Sequence, residues 1–249
     1  MENHTPEAVV VSEEGALMKL TSPKQLLIES FATFKKTWKL LIRIGVLVAG
    51  PVFLLAVMVM GIALAGYSVV AMILGFVLIL TAIYFVSWAY AAVLYALSLP
   101  EGQAVRARDA YKQTAQRVWP MVGVSILTSL IVMGGILLLI IPGIIFSVWY
   151  GMSRYIVVTE GLSPVESLKR SRAYVDGYFW PVIIRFLVII ALGIAVGFVS
   201  EIISVTVAFG STIIADIISM AISIVWSIYS MVYGYKLYVA LKEAYAKKA

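Results

Sequence analysis

The sequence predicts an all-α, polytopic integral membrane protein: six transmembrane helices arranged as three hairpins, with amphipathic interfacial helices on the cytoplasmic side. Three observations carry this. Of the 249 residues, 62% are hydrophobic and 13% charged, whereas soluble domains run about 45–50% apolar and about 25% charged. Mean hydropathy is +1.01, and the apolar residues gather into runs at 40–65, 68–99, 119–141, 144–159, 181–200 and 213–237. All but Arg154 and Arg185 of the 19 Lys and Arg residues lie at the outer ends of those runs, on their flanks or on alternate connections.

Composition excludes a soluble globule, a disordered chain and a disulfide-stapled secreted domain. The chain has no Cys, and its one histidine, His4, sits in a polar N-terminal stretch. A thiolate metal site, a cysteine nucleophile, a histidine zinc site and a Ser-His-Asp triad therefore lack material. No cofactor is expected: GxxxxGK(S/T), GxGxxG, HExxH and GxSxG are all missing from the sequence. The net charge of +6 is no nucleic-acid signal, because the bases follow the membrane topology.

Residues 1–21 read as a flexible cytoplasmic tail. A secretory signal starts basic and turns apolar at once; here Glu2, Glu7, Glu13 and Glu14 face Lys19, and the apolar run is only Ala8-Val9-Val10-Val11. Residues 22–241 form a single six-helix membrane domain, and 242–249 a basic cytoplasmic tail. Each crossing is expected to be helical, since a backbone in lipid must satisfy its own hydrogen bonds. The second run is longer than a crossing of about 25 residues requires, so it tilts or projects from the bilayer. The third and fourth runs fit two crossings joined at Pro142-Gly143, with a re-entrant hairpin as the alternative. No polar side chain occurs from Leu130 through Phe146.

The connections at Gly66-Tyr67 and Pro142-Gly143 carry no charge, and that from Glu201 to Thr212 carries one acid. The opposite connections carry Arg106, Arg108, Lys112 and Arg117, then Lys169, Arg170 and Arg172. Basic loops stay in the cytoplasm, so both termini are placed there and the chain in the cell membrane. Before the first and third hairpins stand Ser22-Pro23-Lys24-Gln25 and Ser163-Pro164-Val165-Glu166. Each has a Ser cap, Pro at the first helical position and Gln or Glu returning the hydrogen bond. Leu27, Phe31, Phe34 and Trp38 follow at helical spacing, as do Ala104, Ala107, Tyr111, Ala115 and Val118 before the second hairpin. Trp38, Trp119 and Trp180 then mark the headgroup level.

Ile141-Pro142-Gly143-Ile144, Arg154, Glu160-Gly161-Leu162-Ser163-Pro164, Glu166-Ser167-Leu168-Lys169-Arg170-Ser171 and Gly177 together resemble a bacterial and archaeal family. It is the membrane domain attached to some glycerophosphodiester phosphodiesterases, together with its stand-alone six-helix relatives. The resemblance is strongest over 100–181. It implies a six-helix membrane module without the phosphodiesterase activity, which in that family belongs to a separate soluble barrel with metal-binding acids and histidines.

Arg154 and Arg185 lie inside the fourth and fifth crossings, about 9 Å and about 6 Å from the cytoplasmic end. A charge at such depth marks a functional-site candidate. With Lys169, Arg170 and Arg172 the two arginines would form a basic pocket for an anionic lipid phosphate; the alternative is snorkelling or structural pairing. Glu160 is the candidate partner of Arg154, its alternative a solvated helix end. Gly193 and Gly197 form a GxxxG, and Ala215, Ser219, Ser223 and Ser227 a small-residue stripe. Both are expected to pack helices within the bundle, with a homodimer seam as the alternative. Glu201 and Asp216 read as solvated helix ends.

The function expected is a non-enzymatic membrane module whose partners are membrane lipids, anionic at the cytoplasmic face, or other membrane proteins. The alternative is a small transporter or permease subunit for a lipid or amphipathic solute.

Overall fold

The computed structural model describes residues 20–100, 105–208 and 212–248, and the described residues are folded as helices and turns without strands. Six helical stretches are long and apolar enough to cross a membrane: Pro23–Leu64, Ser68–Ser98, Ala107–Leu138, Ile140–Glu160, Phe179–Thr206 and Thr212–Lys248. That much agrees with the predicted class and is compatible with a multi-pass membrane protein. The predicted tail up to Lys19 lies outside the described residues.

Helix α1 (Pro23–Leu64) starts where the sequence says: the Ser22 hydroxyl accepts from the Gln25 amide at 3.2 Å and Pro23 opens the first turn. The box is only half closed, because the Gln25 side chain turns forward to Glu29 at 3.0 Å. No break separates an interfacial helix from the crossing, so the amphipathic stretch at 22–38 is the first part of one 42-residue helix. The intervening lysines and leucines are strong helix formers and offer no stop signal. Pro51 inside the helix lacks an N–H, so the Leu47 carbonyl loses its usual donor. Gly66, at φ 88°, turns the chain into α2 (Ser68–Ser98).

Helix α3 (Ala107–Thr114) passes through a 3-10 turn, Ala115–Arg117, into α4 (Val118–Leu138). It packs on α1 and α2: the Tyr111 hydroxyl donates to the Ile44 carbonyl at 2.7 Å, and Trp88 Nε1 donates to the Tyr111 carbonyl at 3.0 Å.

The expected turn at Pro142-Gly143 is displaced. The chain turns at Leu139, which is extended, and both residues lie inside the next helix, α5 (Ile140–Tyr150). Pro142 stands in the first turn, where a missing N–H costs nothing. Gly143 serves close packing: a Cβ there would stand 2.9 Å from the Ile136 nitrogen, and one on Gly135 would stand 2.9 Å from the Gly143 Cα. The backbones of α4 and α5 therefore touch at two glycines.

The fourth run is itself broken at Gly151-Met152, between α5 and α6 (Ser153–Glu160). The Ser171 hydroxyl donates to the Trp149 carbonyl at 2.7 Å and accepts from the Met152 amide at 3.2 Å. One side chain thus satisfies both groups exposed by the interruption. It comes from α7 (Pro164–Val175), whose capping box is complete: the Ser163 hydroxyl accepts from the Glu166 amide and the Glu166 carboxylate accepts from the Ser163 amide. These bonds hold the Glu166 carboxyl below its usual pKa. Helices α8 (Phe179–Ala208) and α9 (Thr212–Lys248) follow, and α9 continues through the basic stretch from Lys242.

The main core centres on α6. Met152, Ile156 and Val157 are buried against Val175 of α7, Val182 of α8, and Tyr233, Leu237 and Tyr238 of α9. A second core joins Leu41 and Ile44 of α1 to Ala92 of α2, Tyr111 of α3 and Val232 of α9. Both cores lie toward the end of the bundle that holds the N-terminus of α1, α3, α7 and the C-terminus of α9. Toward the other end the apolar side chains are exposed, with Leu64 at 82% and Leu137 at 81%. Trp119 and Trp180 are each 71% exposed, and Trp38 41%.

Candidate functional site

The residues predicted to share one basic pocket sit in separate local surroundings. Arg185 is 5% exposed. Its Nε donates to the Thr21 carbonyl at 3.1 Å, one terminal nitrogen donates to the Pro181 carbonyl at 2.7 Å, and the other donates to the Leu20 carbonyl at 3.0 Å and to that of Thr21. Its own carbonyl accepts from the Tyr233 hydroxyl at 3.1 Å. The fork is filled with backbone oxygens, those of Leu20 and Thr21 before α1 and that of Pro181 in α8, which fits the structural-pairing alternative. A guanidinium suits this task because its donors are fixed in one plane and can hold several carbonyls at once.

Glu160 ends α6, and its partner is not Arg154. The carboxylate Oε1 accepts from the Tyr174 and Tyr238 hydroxyls, each at 2.7 Å, with Lys242 Nζ at 3.4 Å. Oε2 lies 3.8 Å from Arg170 Nε. Arg170 in turn stands over the rings of Tyr174 and Tyr245, 5.9 Å from each centroid. The result is a polar knot that ties α6, α7 and the C-terminal part of α9. Burial, then the hydrogen bond to Glu160, raises the Tyr174 pKa, so the phenol stays a donor. Helix α6 ends here because Gly161 adopts the left-handed region at φ 70° and Arg117 donates to the Val157 and Val158 carbonyls. Those are last-turn acceptors that the helix itself cannot satisfy.

Arg154 makes no hydrogen bond or ion pair among the described residues. Its charge lies beside Tyr90 and Tyr155, whose ring centroids stand 6.4 Å apart. Tyr155 stacks on Tyr238 with centroids 5.9 Å apart and rings 12° from parallel. Arg172 sits 4.3 Å above the Trp149 ring, and Lys169 is exposed on α7. The five cations therefore do not converge.

The small residues divide in the same way. Gly193 meets Trp226 of α9, where an added Cβ would stand 3.1 Å from the indole, but nothing lies within 4 Å of a Cβ on Gly197. Of the stripe on α9, Ala215 is buried and Ser219 half-buried, whereas Ser223 and Ser227 are exposed. Ser223 is satisfied locally by the Ser219 carbonyl at 2.9 Å. The packed face of α9 runs instead through Val232, Tyr233, Gly234, Leu237, Tyr238 and Leu241. Gly234 is required there because its Cα faces the Tyr155 hydroxyl and ring. Glu201 and Asp216 are exposed, and the described residues hold no cluster of three or more metal-ligating side chains.

One basic constellation does form, at a place that helical spacing only half announced. Lys36, Lys39 and Arg43 of α1 and Lys236 of α9 line a cleft of about 630 Å³, floored by Leu40, Ala96 and Leu97. Thr33, Thr37, Leu40 and Arg43 share one face of α1 by their spacing. The arrival of Lys236, about two hundred residues downstream, depends on how α9 packs along α1. A second cleft, of about 460 Å³ between Phe31 and Phe34 of α1 and Val225 and Trp226 of α9, is wholly apolar.

No protein-family model, curated protein or solved structure matches the chain.

Proposed function

We propose that the chain is a multi-pass protein of the cytoplasmic membrane, built as three hairpins with both termini inside, acting as a non-enzymatic module that engages anionic inner-leaflet lipids. One observation carries this. No Lys or Arg occurs at 44–105, 118–153 or 186–235, and side-chain contacts draw the basic segments between those stretches together. Arg185 binds Thr21, Tyr111 binds Ile44, the residue next to Arg43, and Tyr174 packs on Tyr245 with centroids 5.0 Å apart. The six apolar helices support the membrane setting, and a one-sided basic coat follows the rule that Lys and Arg stay in the cytoplasm. Amphipathic α3 and α7 then lie at the inner interface. The motif run around Pro142, Glu160 and Ser163 supports kinship with the membrane domain of glycerophosphodiester phosphodiesterases, without their chemistry.

Because the chain has no Cys, single cysteines report its topology directly. Ser68→Cys is expected to react with an impermeant maleimide in intact cells, and Lys169→Cys only after permeabilisation. Both positions are exposed. Labelling of Lys169→Cys from outside would overturn the orientation.

A further inference from the structure

The cleft between α1 and α9 has the chemistry of a phosphate site, and we propose that it binds the phosphate of an acidic phospholipid. The inference rests on the membrane reading above and assigns the place and class of ligand. Lys39, Arg43 and Lys236 bring positive charge to one cavity of about 630 Å³ that has no acidic residue among its described lining residues. None of the three makes an ion pair or hydrogen bond among the described residues. Four cations elsewhere are engaged: Arg185 by carbonyls, Arg170 and Lys242 by Glu160, Arg172 by Trp149. Cations gathered without a counter-charge repel one another, and an anion removes that repulsion. The Thr37 hydroxyl also lines the cavity.

A lipid fits this cleft better than a soluble phosphate ester for two reasons. The Lys39 ammonium lies 5.7 Å from the Trp38 ring centroid, and Trp38 is the residue type that settles at headgroup depth. Beyond Arg43 the same stripe of α1 continues through Leu47, Gly50 and Leu54 by helical spacing. Leu47 is 55% exposed and Leu54 70% exposed, and a Cβ on Gly50 would meet nothing within 4 Å. A charged cleft that runs into an open apolar stripe matches a headgroup joined to acyl chains.

The test uses the full chain in detergent, titrated with phosphatidylglycerol, with phosphatidylcholine, and with glycerol 3-phosphate alone, bound species being counted by native mass spectrometry. Wild type is expected to retain phosphatidylglycerol over phosphatidylcholine. Arg43→Gln/Lys236→Gln should weaken retention about thirtyfold, the effect of removing two basic residues near the surface. Lys247→Gln/Lys248→Gln, which neutralises two exposed cations away from the cleft, should retain it. The charge-keeping pair Arg43→Lys/Lys236→Arg should bind as wild type does and covers the case in which the Gln pair fails to fold. Equal loss in both Gln pairs, or no loss in the cleft pair, overturns the site. Binding of glycerol 3-phosphate without preference for phosphatidylglycerol overturns the lipid assignment. Cysteine labelling of the same preparations reports topology independently, so failure of the membrane orientation is distinguishable from failure of the cleft.

Discussion

The Arg185 guanidinium holds the backbone of Thr21, a residue 164 positions earlier in the chain, with Nε 3.1 Å from its carbonyl oxygen. This contact fixes where the chain enters α1 relative to α8. It also makes a buried arginine a structural clamp, since the same side chain satisfies Leu20 and Pro181.

Replacing that clamp should be costly. Arg185→Gln cannot span the same carbonyls and leaves several of them unpaired in a buried place, so a loss of about 3 kcal/mol is expected. Arg185→Lys should fall between, because an ammonium carries its charge without the planar fork. Thermal unfolding in detergent measures the order of the three proteins, and limited proteolysis near residue 21 should accelerate in the same order.

The knot at Glu160 predicts coupling between helices distant in sequence. Tyr238→Phe removes one donor to the carboxylate and is expected to cost about 1 kcal/mol. Glu160→Ala releases Tyr174, Tyr238, Arg170 and Lys242 together and should cost more. In the double variant the two losses should fall short of additivity by about 0.5–1 kcal/mol, as for residues in one network. Strict additivity in a double-mutant cycle would contradict the shared hydrogen bond.

Three glycines make a sharper contrast. A Cβ on Gly143 meets the backbone of Ile136, which cannot swing away, whereas one on Gly197 meets open space. Gly143→Ala is therefore expected to destabilise by about 1–3 kcal/mol, while Gly197→Ala should stabilise by up to about 1 kcal/mol. Gly193→Ala should lie between them, since the Trp226 ring it approaches at 3.1 Å is a side chain. Melting temperatures of the three variants test the ranking.

The α7 cap gives a signed pH effect. Hydrogen bonds from Ser163 lower the Glu166 pKa in the folded state. Their contribution is fully present above the unfolded value, about 4.3, and is lost as pH falls through the lower folded value. Amide-exchange protection in the first turn of α7 should decline across that window. Glu166→Gln, which keeps the box but does not titrate, should remove the decline.

The clearest differences between expectation and structure share one cause. Pro142-Gly143 reads as a turn because both residues break regular structure, yet Pro is tolerated in a helix's first turn and Gly is needed where α4 and α5 touch. The Ser219-Ser223-Ser227 stripe has the right spacing for packing, but α9 presents Tyr233, Leu237 and Tyr238 to the core instead. Gly234 carried no local signal, since its role depends on Tyr155 approaching from α6. Arg154 and Arg185 are expected at similar depth, but depth does not state azimuth, and their side chains enter different surroundings.

Composition and periodicity alone determined the helical class, the six apolar stretches, the gathering of Lys and Arg into four segments and both serine caps. Each is a local or one-dimensional property: hydropathy sums along the chain, and a cap depends on residues three apart. Tertiary structure alone decided which cations are engaged by backbone, carboxylate or ring, and which line the cleft between α1 and α9. The reason is geometric. A helix places a side chain by rotation as well as height, and only packing against a second helix determines what that rotation makes it face.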